Sequence, residues 1–427
     1  MSDLRAKLDA LVTQSNVMKG SDWRTKHDAL QKQRDSGEFE IGNVVPGTVT
    51  EVESLGGFHL VRTKTPLDAK HGDIDLAHAL DASGETIALA ACDDELESFN
   101  PTSAVFVDTE TTGLSGGTGT VAFLIGAGYF EGDSFVVEQC FMRDYDDEEA
   151  MLTYLDTLFR RFETIVTYNG KSFDVPLMRT RFIQNRIPFR LDATIHFDLV
   201  HAARRLWRDR LRDCSLGNIE RNILGLQRQG DVPSHEIPRM WLDYLRTRDA
   251  RKLDRVFYHH QIDIVSLAAL TGWISRAFQD ESHAGFDHAA DQCAAARLYF
   301  RRGQYQEACN CAEQVLAESS DHSVRSRAYE LIGFAYKRLE RWDVMEHAWL
   351  QFIEEFPRHF VARVELAKHL EHRAKNFAEA ENHCVAVLEY LNTREALGRA
   401  AGRDETVETE IKRRLDRIRR KGARATG

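Results

Sequence analysis

Apolar and polar residues follow several distinct rhythms along the chain, and each rhythm predicts a different element. Leu4, Leu8, Leu11 and Val12 recur at helical spacing, which predicts an amphipathic helix with further helix to about Arg34. After Gly42 the period shortens to two. The runs Thr48-Val-Thr-Glu-Val-Glu and Phe58-His-Leu-Val-Arg, parted by Ser-Leu-Gly-Gly, predict a hairpin, and Thr86-Ile-Ala-Leu-Ala-Ala-Cys is a candidate third strand. Val105-Phe-Val-Asp-Thr-Glu, Val121-Ala-Phe-Leu-Ile-Gly-Ala-Gly-Tyr-Phe and Ser134-Phe-Val-Val-Glu-Gln-Cys-Phe-Met then predict an antiparallel meander of three strands joined by Gly-rich turns. Helical periodicity takes over at Asp147–Phe162, where the first turn is acidic, and a short buried strand, Thr164-Ile-Val-Thr-Tyr, follows. Helix is expected again over Val175–Gln184, Leu199–Arg212, Ser215–Leu224 and about Asp249–Phe278, with the short run Ala193-Thr-Ile-His-Phe-Asp198 between the first two. Antiparallel strands followed by alternating helix and strand are the order of an α/β domain, a mixed sheet flanked by helices.

From Asp287 onward the texture is all helical and an internal repeat emerges. Tyr305, Trp342 and Phe377 stand at intervals of 37 and 35 residues, each three places before Ala308, Met345 or Ala380. The period resembles tetratricopeptide helix-turn-helix repeats of about 34 residues. The aromatics read as inter-helix packing rather than base-stacking platforms, and the repeats as a surface that docks a protein partner or another domain. The expected plan is an N-terminal helix and small β-rich region at 1–100, covering one edge of the next domain. An α/β domain at 101–280, helical repeats at 288–392, and a helix with a basic tail at 393–427 complete it.

Composition sets outer limits on this plan. A chain of 427 residues with 43% hydrophobic content is long enough for two or three packed domains. No stretch approaches the ~20 apolar residues of a membrane span. The N-terminal Met-Ser-Asp-Leu-Arg-Ala-Lys-Leu is charged and lacks an apolar export segment, so a cytoplasmic protein without membrane partners is expected. Seven scattered cysteines with no Cys-x-x-Cys pair exclude a zinc ribbon and fit reduced thiols in the core. A net charge of -11 argues against nonspecific nucleic-acid binding by the surface at large. Arg and Lys nevertheless crowd Arg179–Arg212, a candidate substrate track, and Lys412–Arg424, read as a solvated charge run, a disordered tail or a phosphate contact.

Candidate chemistry concentrates between Asp108 and Asp263. Residues two apart in a strand face the same way, so Asp108 and Glu110 share a face. Two adjacent carboxylates repel each other and lose solvation unless a cation, most economically a divalent metal, lies between them. Taken alone, Asp-x-Glu is more commonly a strand end with solvated acids entering a turn. The Gly-rich loop after Gly113 lacks Gly-Lys-Ser/Thr and precedes a strand, so it is no P-loop; it lets backbone pass close to a ligand, or is simply a turn. Asp174 ends Asn169-Gly-Lys-Ser-Phe-Asp and opens a helix with Pro176 in its first turn. It is either a plain cap or a carboxylate fixed beside the sheet by the Asn-Gly turn and Phe173. His259 and Asp263, at i and i+4, share one face of the long helix.

These residues carry a family resemblance. Phe106-Val-Asp108-Thr-Glu110-Thr-Thr-Gly resembles the first motif of the DEDD group of ribonuclease-H-like 3'-5' exonucleases, Asn169–Asp174 resembles the second, and His259 with Asp263 stands at the third. More narrowly, Val121-Ala-Phe-Leu-Ile-Gly, Tyr168-Asn-Gly-Lys-Ser-Phe-Asp-Val-Pro, Cys214-Ser-Leu and His259-His-Gln-Ile-Asp-Ile-Val-Ser-Leu are similar to the bacterial YprB-type ribonuclease-H-like domain proteins, over residues 103–277. The resemblance implies an α/β ribonuclease-H-like fold and a metal-dependent 3'-5' exonuclease acting on DNA or RNA, on a single strand or a 3' end. It implies that Asp108, Glu110, Asp174 and Asp263 hold two divalent ions, Mg2+ or Mn2+, roughly 3.5 to 4 Å apart. His259 is then the general base, and Thr111, Asn169, Lys171 and Phe173 are substrate contacts.

The third motif departs from the pattern. The family places a Tyr four residues, or a His five residues, ahead of the last Asp, whereas here those gaps hold His259 and Tyr258. At ~100° per residue, Tyr258 lies about 140° around the helix from Asp263 and His259 only about 40°. His259 is therefore the expected base, with His260 second. The altered motif also leaves a competing expectation, a non-catalytic nucleic-acid-binding or scaffolding protein whose site has drifted.

Overall fold

The computed structural model of the chain describes residues 25, 37–113, 119–279, 285–398 and 402–425. Apart from Thr25, the helices expected before Arg34 lie outside the described residues, as does the loop at 114–118. The chain forms two units, one from Met1–Ala203 with Asp213–Gln279, the other from Arg204–Arg212 with Asp280–Gly427.

The first unit is built on a seven-stranded mixed sheet. Its strands are β1 (Thr48–Val52), β2 (Gly56–Pro66), β5 (Ala104–Thr111), β6 (Ala122–Glu131), β7 (Ser134–Phe141), β8 (Thr164–Thr167) and β9 (Ile195–Asp198); β3 (Lys70–His71) and β4 (Ile74–Asp75) form a separate short pair. The order is β1-β2-β7-β6-β5-β8-β9, with β5-β6-β7 as the antiparallel meander and β8 and β9 added in parallel. The N-terminal hairpin extends this sheet, since β2 pairs with β7 from His59↔Phe141 to Pro66↔Ser134. The third run is not a strand. Gly84–Ala91 is helix α1, whose N-cap Ser83 accepts a bond from the Thr86 amide at 3.3 Å. A continuous apolar run suits a buried strand or a buried helix equally, and the cap decides for helix.

The longer helices of this unit are α2 (Glu148–Phe159), α3 (Asp174–Gln184), α4 (Leu199–Leu211, whose last residues belong to the second unit), α5 (Ile237–Thr247) and α6 (Leu253–Gln279). Alternation along β5 sorts its side chains. Val105 and Val107 join the core with Met151 and Leu155 of α2, Met178 and Phe182 of α3, and Trp241 of α5. Phe106 turns to the other face and meets Phe130 and Phe135 edge-on, with ring centroids 6.0 and 5.5 Å away. Helix α6 packs on β5, β6 and β7 over that face. Gly126 makes the approach possible, because a Cβ there would stand 2.1 Å from Ile264 Cδ1 and 2.5 Å from His260 Cε1.

The second unit is helical: α7 (Ala289–Arg301), α8 (Tyr305–Glu318), α9 (His322–Arg338), α10 (Trp342–Glu355), α11 (Phe360–His369), α12 (Phe377–Ala396) and α13 (Gly402–Ala425), each packed on the next. Tyr305, Trp342 and Phe377 open α8, α10 and α12, and Ala308, Met345 and Ala380 one turn later are buried. Ile411, Leu415 and Ile418 of α13 pack with Cys384, Val387 and Leu391 of α12. The basic tail is therefore largely a closing helix rather than a solvated charge run. Arg414, Arg417 and Lys421 converge on the buried Glu371 at 2.7, 2.6 and 2.8 Å, and Arg419 pairs with Glu381. Among the described residues no helix is long and apolar enough to cross a membrane.

Candidate active site

β5 carries Asp108 and Glu110 to the face that α6 crosses, and a register shift at Glu110/Thr111 bends the strand where the acids stand. α6 brings His259 and Asp263 to the same place. His259 Nε2 lies 3.7 Å from Glu110 Oε1 and 3.4 Å from Asp263 Oδ2. One donor atom each from Glu110, His259 and Asp263 falls within 4.8 Å of the others. His260 is turned toward the strand backbone instead. Its Nε2–H donates to the Asp108 carbonyl at 3.0 Å, while Nδ1 accepts from Gln139 at 3.0 Å. Burial holds the His260 imidazole down at about 4, so it is a neutral clamp on β5. Tyr258 is 39% exposed and lines another cavity with Gln139, Gly230 and Arg255.

Asp174 reaches the cluster from the opposite side of the sheet end. As the first residue of α3 it accepts a bond from Thr109 Oγ1 at 2.5 Å, and Thr109 points away from Asp108 and Glu110. The preceding turn is fixed by Asp198, a residue the sequence motifs did not single out. Its buried carboxylate accepts from the amides of Asn169 at 2.6 Å, Lys171 at 3.0 Å and Val200 at 3.3 Å. Asn169 adopts φ +67, the left-handed conformation that Asn tolerates better than most residues. Tyr168 donates its hydroxyl to the Cys214 carbonyl at 2.5 Å, joining two of the quoted motifs. Thr111 donates to the Gly113 carbonyl at 3.1 Å, and Phe173 beside Asp174 is 53% exposed.

Three further residues complete the cluster, and none announces itself by local pattern. Asp231 Oδ1 accepts from His259 Nδ1–H at 2.7 Å, which leaves Nε2 as the nitrogen presented to Glu110 and Asp263. Arg228 pairs with Asp263, and with Glu220 through two nitrogens at 2.7 and 2.5 Å. Glu220, 1% exposed, also accepts from Ser266 at 2.5 Å, and Ser266 meets His71 at 2.7 Å. The guanidinium is thus anchored from behind. Glu220, Arg228 and Asp231 belong to the connection between α4 and α5, which opens with a short helix at Leu216–Ile219 and a π-helical turn at Glu220–Leu224, within the helix expected at Ser215–Leu224, before it becomes irregular.

One arginine does not balance these acids. Burial, and then repulsion from Asp263 and Asp174, raises Asp108 and Glu110 well above the usual carboxylate range, against the opposing pull of Arg228. Burial lifts Asp174 to about 6 despite its bond from Thr109. Hard oxygen donors in excess of local positive charge, with an imidazole nitrogen among them, are a donor set that fits a divalent cation.

The comparisons with known proteins agree with this architecture. A family model described as RNase_H superfamily matches residues 105–275, which span every residue of the cluster. The chain is also 30% identical over 351 residues to a Bacillus subtilis (strain 168) protein named "Uncharacterized protein YprB", a match covering 81% of this chain and 78% of that one. The chain belongs to the YprB-type ribonuclease-H-like family. Its domain of that superfamily has a nuclease-type fold, and the acids stand at the sheet end of that domain.

Four arginines of the basic segment expected to line the substrate path are otherwise engaged. Arg179 pairs with Asp192, Arg181 with Glu148, Arg190 with Asp156 and Arg210 with Asp291. Two cavities flank the cluster instead. One of about 660 Å³ includes Arg221, Gln227, Arg228, Ser234, His259 and Asp263. The other, about 380 Å³, includes Thr109, Thr111, Phe173, Asp174 and Leu177, with neither Lys nor Arg among its lining residues.

Proposed function

We propose that this protein is a metal-dependent nuclease, a 3'-5' exonuclease that hydrolyses phosphodiester bonds of DNA or RNA. The observation that carries the proposal is the grouping of Glu110, His259 and Asp263, one donor atom of each within 4.8 Å of the others, at a part-buried sheet end where Asp174 and Asp263 both repel Asp108 and Glu110. In this proposal the four carboxylates hold two divalent ions, Mg2+ or Mn2+. Such ions lower the pKa of a bound water and stabilise the charge on the departing 3'-oxygen.

The chain's own groups supply positioning and proton transfer. Asp231 holds His259 by Nδ1, so that Nε2 is free to take the proton of the attacking water. Arg228, anchored by Glu220, keeps Asp263 in place. His260 and Gln139 lock β5 at Asp108, and Asp198 locks the turn that carries Asn169, Lys171 and Asp174. Phe173 and Thr111 offer an aromatic face and a hydroxyl to the terminal nucleoside, while Asn169 and Lys171 contact the strand. The repeats of the second unit are the surface for a protein partner.

The test is degradation of 3'- and 5'-labelled single-stranded DNA and RNA with Mg2+ or Mn2+. Stepwise mononucleotide release from the 3' end, abolished by EDTA, is expected. Metal-dependent binding without any cleavage would instead favour a scaffolding role.

A further inference from the structure

The larger cavity connects buried and exposed chemistry. His259 and Asp263, with side chains 8% and 14% exposed, share it with the exposed Arg221 and Gln227, so it leads from the acid cluster to solvent. The acids along it are already matched: Glu220 is bonded to Arg228 and Ser266, and Asp231 to His259 and Arg228. Arg228 is itself committed to Glu220 and Asp263. Arg221 differs. Among the described residues it has no carboxylate partner, and its guanidinium only brushes Asn218 Oδ1 at 3.4 Å. A planar guanidinium without an acid suits the paired oxygens of a phosphodiester. The smaller cavity, on the Asp174 side, offers a half-exposed phenyl ring and hydroxyls but no cation.

We infer that the cavity beside Asp263 is the track for the substrate's phosphate backbone, and that Arg221 binds one of the phosphates 5' to the scissile bond. This rests on the nuclease reading above. The two flanking cavities then impose a direction: the strand's terminal nucleoside lies on the Phe173 side, and its polyanionic continuation leaves past Arg221. Within the Arg179–Arg212 segment, Arg179, Arg181, Arg190 and Arg210 already hold carboxylates and are not assigned to this track.

The experiment uses the full chain carrying Asp108→Asn, which binds without cleaving, and a 5'-fluorescein single-stranded 12-mer of DNA or RNA read by anisotropy across a salt series. Adding Arg221→Gln should weaken binding about fivefold or more and reduce the salt slope by about 0.7, the value for one phosphate on a single strand. Arg221→Lys should restore the slope, and Arg179→Gln should change neither quantity. Neutral methylphosphonates placed singly at the first four linkages from the 3' end identify the contact. At one linkage the substituted strand should bind equally well to chains with and without Arg221→Gln. An unchanged slope in Arg221→Gln, or an undiminished difference at all four linkages, overturns the assignment. If the parent binds normally, such a result rejects Arg221 alone. If the parent binds neither strand, the assignment and the nuclease reading fall together.

Discussion

Glu371 in the helical unit is fully buried, yet Arg414, Arg417 and Lys421 gather on its two oxygens. Burial pushes its carboxyl up, but the bonds from Arg417 and Lys421 outweigh that and hold it at about 2. In the sheet unit Asp108 and Glu110 meet mainly other acids, and burial with mutual repulsion drives them the opposite way. The same side-chain chemistry therefore serves two ends. A buried carboxylate supplied with cations by its own chain is a structural clamp. A group of carboxylates left short of positive charge costs stability and persists where a cation from outside completes it.

Neutralising one acid on each side should break this contrast most visibly at Asp108. Asp108→Asn should remove metal-dependent cleavage by on the order of 10³-fold, given several kcal/mol of transition-state charge stabilisation from the ions. Its folded carboxyl is raised, so the stability it contributes is greatest at low pH and is lost as pH rises. The Asn variant should therefore melt no lower than the parent in EDTA at neutral pH, and Mn2+ should no longer raise its melting temperature. A large thermal loss in EDTA would make Asp108 a clamp like Glu371.

Within the sheet unit, His259→Ala should separate proton transfer from metal retention. A rate loss of about 10²-fold with Mn2+ binding preserved is expected of a general base. Loss of Mn2+ affinity measured by calorimetry would make His259 a ligand instead. On the helical side, Glu371→Gln should cost about 2 kcal/mol in urea unfolding followed by circular dichroism, the scale of hydrogen bonds to charged groups, and leave cleavage unchanged. The Glu371 carboxyl is depressed from 4.5 to about 2, so its contribution is complete above pH 4.5 and is lost as pH falls toward 2. The smallest effect belongs to Tyr258→Phe, within about twofold in rate, because its ring lies outside the cluster.

Much of this contrast was legible in local pattern. The period of two in Val105–Glu110 placed both acids on one face, and the angle between His259 and Asp263 on α6 separated His259 from Tyr258. The order of strands and helices marked the fold. Long-range partners left no such trace. Arg228 and Asp231 lie in an irregular stretch where no periodicity points, Glu220 sits in a helical turn whose pattern names no partner, and their bonds depend on how the connection packs on α6. Composition drew attention to Arg179–Arg212, although four of its arginines are matched by Glu148, Asp156, Asp192 and Asp291, far from them in sequence except Asp192. The run at Thr86 misled because an apolar stretch carries no period, and only Ser83 distinguished helix from strand. Ile411, Leu415 and Ile418 mark α13 as amphipathic, but nothing nearby showed that Glu371 would gather its cations.

The most direct measurement is anomalous diffraction from crystals soaked in Mn2+. Two peaks bounded by Asp108, Glu110, Asp174 and Asp263 are expected, both absent from Asp108→Asn crystals or greatly weakened, with none at Glu371. Well-occupied Mn2+ elsewhere with no peak among those four carboxylates, at a concentration that supports cleavage, would contradict a metal centre at this sheet end.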